Sequence, residues 1–209
     1  MDNASESVRK NLPYVTIGLI AANIIYFIIT VLGGNPSNVS YMLSRGAVYA
    51  PYVFEEHQYW RLLTGMFMHF SFRHMAGNMV YLGIVGATYE NITGHMKFFL
   101  IYMLSGFGGN VVSCAYHQLS GHSAVSAGAS GAVYGVIGIV VYLTFISVKK
   151  FDASKLFLRI AIMLVFMFYS NFLSGDDVDV AAHIGGLFFG VLLSLLFLPY
   201  KNKDKDRKY

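Results

Sequence analysis

The stretch AGASGAVYG occupies residues 127–135 and is followed by the uncharged apolar run VIGIVVYLTFI, residues 136–146. Together they supply the ~20 residues that a helix needs to cross a bilayer. Ser130 stands among glycines and alanines at the start of this run. Small residues at such a place favour either close helix packing or a reactive serine at a helix start. The rest of the chain has to distinguish these two readings.

The composition of the chain is typical of a membrane protein. Of its 209 residues, 56% are hydrophobic and only 12% are charged, whereas an ordinary globular domain carries about a quarter charged residues. The first apolar run, residues 14–32, is too long for a signal peptide, so we expect a retained helix. Cys114 is the only cysteine, which excludes an intrachain disulfide and a cysteine metal cluster.

Hydrophobic runs separated by short polar breaks predict an all-α polytopic membrane protein with six transmembrane helices in a compact bundle. We expect a cytoplasmic segment at 1–13, a membrane domain at 14–200 and a basic tail at 201–209. The second helix opens with Ser71, Arg73 and His74, so a re-entrant segment is the alternative there. The predicted helices are 14–32, 70–89, 98–116, 130–147, 156–173 and 179–200.

The distribution of basic residues supports six crossings. With six helices both termini share one side of the membrane, and that side receives most of the 15 Lys and Arg residues. Because basic residues favour the cytoplasm, we expect both termini to be cytoplasmic. The tail would face anionic lipid of the bilayer, and its composition implies no nucleic-acid role. The residues assigned to this side are Arg9, Lys10, Lys97, Lys149, Lys150, Lys155, Arg159, Lys201, Lys203, Lys205, Arg207 and Lys208, against Arg45, Arg61 and Arg73 opposite.

A long connection, residues 33–69, falls on the outer side. Aromatic side chains there alternate with charged ones, a pattern that suits a segment lying in the membrane interface. An aromatic belt and a functional loop are equally open interpretations. The residues are Tyr49, Tyr52, Phe54, Tyr59 and Trp60, interleaved with Glu55, Glu56 and Arg61.

Polar side chains inside a membrane are costly, so each is a functional candidate. His74 and Asn78 share one face of helix 2, Ser130 begins helix 4, and His183 lies in the first turn of helix 6. In the predicted topology all four lie near the outer ends of their helices. A histidine base can activate a serine nucleophile, which makes Ser130 and His183 a candidate pair.

Attack on a carbonyl creates an oxyanion that needs preorganised donors. The amide N–H groups at the start of helix 4 and the side chains of His74 and Asn78 could supply them, with Gly128 and Gly131 permitting close backbone approach. The pairs Gly131/Gly135 and Gly186/Gly190 have the small-xxx-small spacing that lets helices 4 and 6 pack tightly.

Simpler interpretations apply to several of these residues. Taken alone, the small residues around Ser130 favour packing, and His183 could be a structural hydrogen-bonding group. His69, His117 and His122 lie in or beside outer loops and are predicted to be ordinary surface histidines. Asp179, four residues before His183, is predicted to cap its helix rather than to complete a catalytic triad.

These residues resemble the motifs of the rhomboid intramembrane serine proteases, and the resemblance covers nearly the whole chain. Trp60-Arg61 in the first outer loop is similar to that family's loop signature. The other matching segments are Gly128-Ala129-Ser130-Gly131 with Tyr134 and Gly135, then Ala182-His183-Ile184-Gly185-Gly186, and His69, His74 and Asn78 within MHFSFRHMAGNM.

The resemblance implies an intramembrane serine endopeptidase that uses a Ser-His dyad and no metal or cofactor. Ser130 would be the nucleophile, His183 the general base, and Tyr134 the residue that packs against His183. His74, Asn78 and the Ser130 amide would form the oxyanion hole. Single-span membrane proteins would be the substrates, cut in or near their transmembrane segments. We expect the six-helix core without a seventh helix, in a bacterial plasma membrane.

Other classes fit the sequence less well. A zinc protease would show HExxH, which is absent, and His69 and His74 would face different directions on a helix. An aspartyl enzyme needs two membrane aspartates, yet Asp176 and Asp177 fall in an outer loop. A transporter would need ionisable residues in the inner halves of helices 4 and 6, which have none. The alternative is a catalytically inactive rhomboid-like protein that binds membrane clients, although such members typically lack the serine or the histidine.

Overall fold

The structure of the chain is a computed structural model that describes residues 11–121, 124–146, 158, 161, 162, 165 and 178–198. Several predictions concern residues outside these ranges. These predictions concern the first ten residues, His122, most of the predicted helix 156–173, Asp176, Asp177 and the basic tail. The four described residues between 158 and 165 are helical.

Long helices account for most of the described chain, as the sequence predicts. Helix α1 spans Tyr14–Gly33, α7 spans His95–Ser120, α8 spans Ser130–Ile146 and α9 spans Val180–Phe197. These bounds agree with the predicted ones to within a few residues. Among the described residues, α1, α7 and α9 are long and apolar enough to cross a membrane, and α8 is a shorter apolar helix.

The predicted second helix is one continuous helical segment from Phe72 to Thr93. It comprises α5 at Phe72–Tyr81, a π-helical turn at Leu82–Gly86 and α6 at Ala87–Thr93. A π turn takes up one extra residue, so the side chains after it point in directions shifted from those of a regular α-helix. The half before the turn carries His74 and Asn78, and the half after it carries Glu90.

The long connection at residues 33–69 is more structured than the sequence predicted. It contains helices α2 at Val39–Arg45, α3 at Ala50–Phe54 and α4 at Arg61–Thr64, followed by a 3₁₀ turn at Gly65–Phe67. Strand β1, Val48–Tyr49, pairs antiparallel with β2, Val125–Ser126. The all-α prediction missed this pair, because a two-residue strand has no alternation that a sequence pattern can show.

Helices α7, α8 and α9 form the centre of the molecule, and glycines bring α8 and α9 together. A Cβ atom added at Gly186 would collide with the carbonyl of Gly131, and one added at Gly190 would collide with the carbonyl of Gly135. The predicted close packing through these two pairs is therefore confirmed. Apolar side chains of α1, α5, α7 and α8 complete the core around this contact.

Glu90 is a fully buried carboxylate that the sequence analysis did not identify. Its Oε1 accepts a hydrogen bond from the Val15 amide at 2.9 Å, and its Oε2 accepts from the Thr16 amide at 2.7 Å and the Thr16 hydroxyl at 2.6 Å. His95 Nδ1 lies 2.5 Å from Oε1. The N-cap residue of α1, Pro13, makes no side-chain cap bond, so Glu90 caps α1 from another helix.

We predict that Glu90→Ala lowers the free energy of unfolding by about 3 kcal/mol, because several buried donors lose a charged acceptor together. Glu90→Gln should cost less, since its amide oxygen still accepts from α1. Unfolding of the purified protein in detergent micelles, followed by circular dichroism against denaturant, measures both changes. The matched control is Asn91→Ala on the same helix, where the exposed side chain donates to the carbonyl of Ala87. A Glu90→Ala change no larger than the control would contradict the capping role.

Candidate active site

Ser130 and His183 meet at the N-terminal ends of α8 and α9. The Ser130 Oγ lies 2.8 Å from His183 Nε2, a distance at which the hydroxyl donates to the ring nitrogen. Both side chains are buried, with 8% and 5% of their surface exposed. The two residues are far apart in sequence, and the glycine contact between α8 and α9 places them side by side.

An aromatic ring also packs against the imidazole of His183. Tyr134 lies one turn after Ser130 on α8, and its ring stacks on His183 with centroids 4.2 Å apart and planes 12° apart. The predicted packing of Tyr134 against His183 is therefore what the structure contains. Stacking restrains the ring plane, which keeps Nε2 directed at the serine oxygen.

Asp179 is the N-cap of α9, as the sequence predicted. Its Oδ1 accepts from the Ala182 amide at 2.9 Å, and its Oδ2 accepts from the Ser113 hydroxyl at 2.5 Å. Among the residues that the structure describes, Nδ1 of His183 has no hydrogen-bond partner. Within the described part of the chain, the site therefore contains a serine-histidine pair with no carboxylate bonded to the histidine.

His74 lies directly over the loop that precedes Ser130. A Cβ atom built on Gly128 would come within 2.8 Å of His74 Cε1 and 2.9 Å of His74 Nε2. Gly128 also has a φ of +149°, which other residues rarely adopt. Asn78 is buried one turn after His74, and its Nδ2 donates to the His74 carbonyl at 3.1 Å. His74 and Gly128 thus lie beside the serine, since the same Cβ atom would be 3.5 Å from Ser130 Oγ.

His69 is fully buried, so the prediction of an ordinary surface histidine was wrong. It lies in the loop before α5 rather than on that helix, and its ring packs edge-on against His74 with centroids 5.1 Å apart. The prediction that the two rings face different directions was therefore also wrong. His69 Nε2 accepts from the Ala129 amide at 3.3 Å. A 60-residue separation hid this contact from pattern analysis.

The pKa of His69 lies well below its ordinary value, because burial and the neighbouring His74 both disfavour the charged ring. A neutral ring leaves a nitrogen lone pair available as an acceptor, and Nε2 uses it for the Ala129 amide. The protonation state and the contact with the serine loop are thus linked.

Three backbone contacts fix the segment that leads into Ser130. Strand β2 pairs with β1, the Gly128 amide donates to the Gly65 carbonyl at 2.9 Å, and the Ala129 amide donates to His69. All three partners belong to the first outer loop or its end. The functional interpretation of that loop is supported by this contact, since the loop holds the serine segment in place.

Arg61 is a buried residue of the same loop, and its side chain contacts several other loop residues. Its guanidinium lies between the rings of Tyr52 and Trp60, 4.7 Å from each centroid. Its Nη1 also donates to the carbonyls of Leu43 at 2.7 Å and Ala47 at 3.0 Å. The pair Trp60-Arg61 therefore contacts loop residues and not the serine or the histidine.

A cavity of about 620 Å³ opens onto the serine-histidine pair. Its wall combines the catalytic candidates with mostly apolar residues, which suits a site that receives an apolar chain segment. His117 lies on this wall and is half-buried, so it is not simply a surface residue. Asn110, which the sequence analysis missed, also lines the cavity and donates to the Leu62 carbonyl at 2.8 Å. The wall further includes Phe70, His74, Tyr116, Val125, Gly128, Asp179, Val180 and Ile184.

Comparison with known proteins agrees with this geometry. Residues 56–200 match the family model of the rhomboid domain. The chain is 32% identical over 200 residues to rhomboid-like protease 3 of Toxoplasma gondii, covering 93% of this chain and 70% of the relative. It is 30% identical over 178 residues to rhomboid protease GluP of Bacillus subtilis, covering 85% and 34%. The match to RHOMBOID-like protein 1 of Arabidopsis thaliana is 30% over 219 residues, covering 89% and 54%.

The chain therefore spans about half, or less, of the length of two of these relatives, and the match covers its central and C-terminal helices. The matched residues include the serine segment, the histidine of α9, and Gly65 and His69, which bond to the amides of the serine segment. With a family model that covers more than half of the chain, this protein belongs to the rhomboid family.

Proposed function

We propose that this protein is an intramembrane serine endopeptidase. In this proposal Ser130 is the nucleophile and His183 the general base, and the substrates are single-span membrane proteins cut in or near their transmembrane segments. The observation that carries the proposal is the 2.8 Å contact between Ser130 Oγ and His183 Nε2 beside a cavity. Relatives whose names include protease support the same activity.

The reaction would begin as the Ser130 oxygen attacks the carbonyl carbon of the scissile peptide bond. The hydroxyl proton moves to His183 Nε2, and the carbonyl oxygen becomes an oxyanion. His183 then gives that proton to the leaving amine as the C–N bond breaks. Water, activated by His183, hydrolyses the acyl-enzyme in the second half of the cycle and restores the serine hydroxyl.

The oxyanion would form near the N-terminus of α8. Amide N–H groups at a helix start point outward and carry partial positive charge, so the Ser130 amide is a suitable donor. His74 lies beside Gly128 and would supply a side-chain donor to the same place. Asn78, whose Nδ2 donates to the His74 carbonyl, would have to exchange that hydrogen bond for one to the oxyanion. Donors of this kind contribute about 10²–10³ in rate each where they have been removed by mutation.

Six membrane crossings with both termini in the cytoplasm are part of the proposal, as are the terminal segments 1–13 and 201–209. The asymmetry of Lys and Arg along the sequence supports this orientation. In that arrangement Ser130 and His183 lie near the outer face, where water and an unwinding substrate helix can both reach them.

We predict that Ser130→Ala and His183→Ala each reduce cleavage at least ~10³-fold, because the two residues act as one unit. The measurement is cleavage of a model single-span substrate by the purified protein in liposomes, with folding checked by circular dichroism. Ser44→Ala and His57→Gln, both exposed residues of the outer loop, are matched controls that should keep wild-type rates.

A serine-reactive fluorophosphonate provides an independent readout of the same pair. Wild type should be labelled at Ser130, and His183→Ala should be labelled far more slowly, since the serine loses its base. If wild type cleaves none of several substrates and is not labelled, the protein is better explained as a client-binding member of the family.

His69 generates a pH prediction, since the fold holds it neutral. The unfolded chain binds a proton below about pH 6.5 while the folded protein does not, so stability is fully present above that pH and is lost as the pH falls below it. We predict that His69→Gln, whose Oε1 can still accept from Ala129, loses about 2 kcal/mol less stability than wild type between pH 7.5 and pH 5.

The test is the denaturation midpoint of each protein across this pH range. His57→Gln is the control, since His57 is exposed and its replacement should leave the wild-type slope unchanged. Equal slopes for wild type and His69→Gln would show that His69 is not held neutral.

A further inference from the structure

Ser113 connects the helix that bears His183 to its neighbour. It is buried in α7, and its hydroxyl donates to Asp179 Oδ2 at 2.5 Å. This hydrogen bond joins a side chain of α7 to the N-cap residue of α9. The other carboxylate oxygen of Asp179 accepts from the Ala182 amide, inside the first turn of α9. One side chain thus ties α7 to the start of α9.

The rest of the contact between α7 and α9 at this level is made by glycines. A Cβ atom at Gly109 would come within 2.7 Å of the Ala182 carbonyl, and one at Gly185 within 2.8 Å of Val112 Cβ. Such a contact sets how closely the helices approach. Near the first turn of α9 these glycines leave little side-chain contact to resist rotation of the helix, whereas the Phe189 ring packs against Gly108 further along.

Rotation of α9 would act directly on the site. His183 lies one turn after Asp179, and a side chain extends about 5–6 Å from the helix axis, so a rotation of about 10° moves it by about 1 Å. A displacement of about 1 Å can cost about 10²-fold in rate. The 2.8 Å contact with Ser130 therefore requires that the rotation of α9 be fixed.

We propose that Ser113 and Asp179 form an interhelical clamp that positions the His183 imidazole against Ser130. This inference rests on the proposed serine protease function and adds two positioning residues to it. The clamp acts through the backbone of α9, because both carboxylate oxygens are taken by Ser113 and Ala182. Ser113 is absent from the described wall of the cavity, so its loss cannot act through a contact with substrate.

The clamp depends on hydrogen bonding at residue 179 and not on negative charge. In Asp179→Asn the amide oxygen can accept from Ala182 while the amide nitrogen donates to the Ser113 oxygen, so both bonds persist. Asp179→Ala removes both bonds, and Ser113→Ala removes only the bond between helices.

We expect Ser113→Ala to lower kcat about 10-fold to 100-fold with KM within twofold of wild type. Asp179→Ala should lower kcat at least as much, and Asp179→Asn should recover most of the kcat that Asp179→Ala loses. The assay is cleavage of the model single-span substrate in liposomes. Ser194→Ala is the matched control: this buried serine of α9 donates its hydroxyl to the Gly190 carbonyl of its own helix, and its loss should leave kcat unchanged.

Amide hydrogen exchange supplies a readout that does not require activity. Ser113→Ala should speed exchange at Ala182 and His183 while the amides of α8 keep wild-type protection. If the wild-type protein neither cleaves substrate nor reacts with fluorophosphonate, the proposed protease function is wrong. Hydrogen exchange would still show in that case whether the bond between Ser113 and Asp179 restrains α9.

Three results would overturn the clamp. The first is a Ser113→Ala protein with wild-type kcat and wild-type exchange in α9. The second is a kcat loss that tracks a uniform loss of protection across all helices, which indicates general destabilisation. The third is Asp179→Asn being as impaired as Asp179→Ala, which would assign the carboxylate charge a direct role beside His183.

Discussion

The close approach of α8 and α9 is the constraint on which the site depends. Gly131 and Gly135 on one helix face Gly186 and Gly190 on the other, and any side chain at these positions would push the backbones apart. Without that approach the hydroxyl of Ser130 could not reach the imidazole on α9. Apolar side chains gain little from helix association in lipid, so backbone proximity and hydrogen bonds have to hold such a contact.

Distance alone does not orient a histidine, and the structure supplies further restraints. Tyr134 restrains the ring plane by stacking, and Asp179 fixes the first turn of α9 and joins it to α7. On the serine side, His69 and Gly65 hold the segment before α8 through backbone amides. The candidate nucleophile and base are thus each supported by groups from other parts of the chain.

Hydrogen bonds between helices also fix the opposite end of the bundle. Glu90 accepts from two backbone amides at the start of α1 and contacts His95 at the start of α7. A polar group that has no water available must find its partner in another helix, and each such pair then fixes how two helices meet. Buried polar contacts at both ends therefore define the arrangement that the glycines permit.

The sequence by itself determined the helical class, four helices to within a few residues, the candidate pair Ser130 and His183, and the cap at Asp179. Each follows from local chemistry: apolar length, small-residue spacing, and a polar group placed in an apolar run. Only the tertiary structure placed His69 in the core, joined Ser113 to α9 and paired β1 with β2. Those contacts join residues that are distant in sequence, and no periodic pattern records which distant partners will meet.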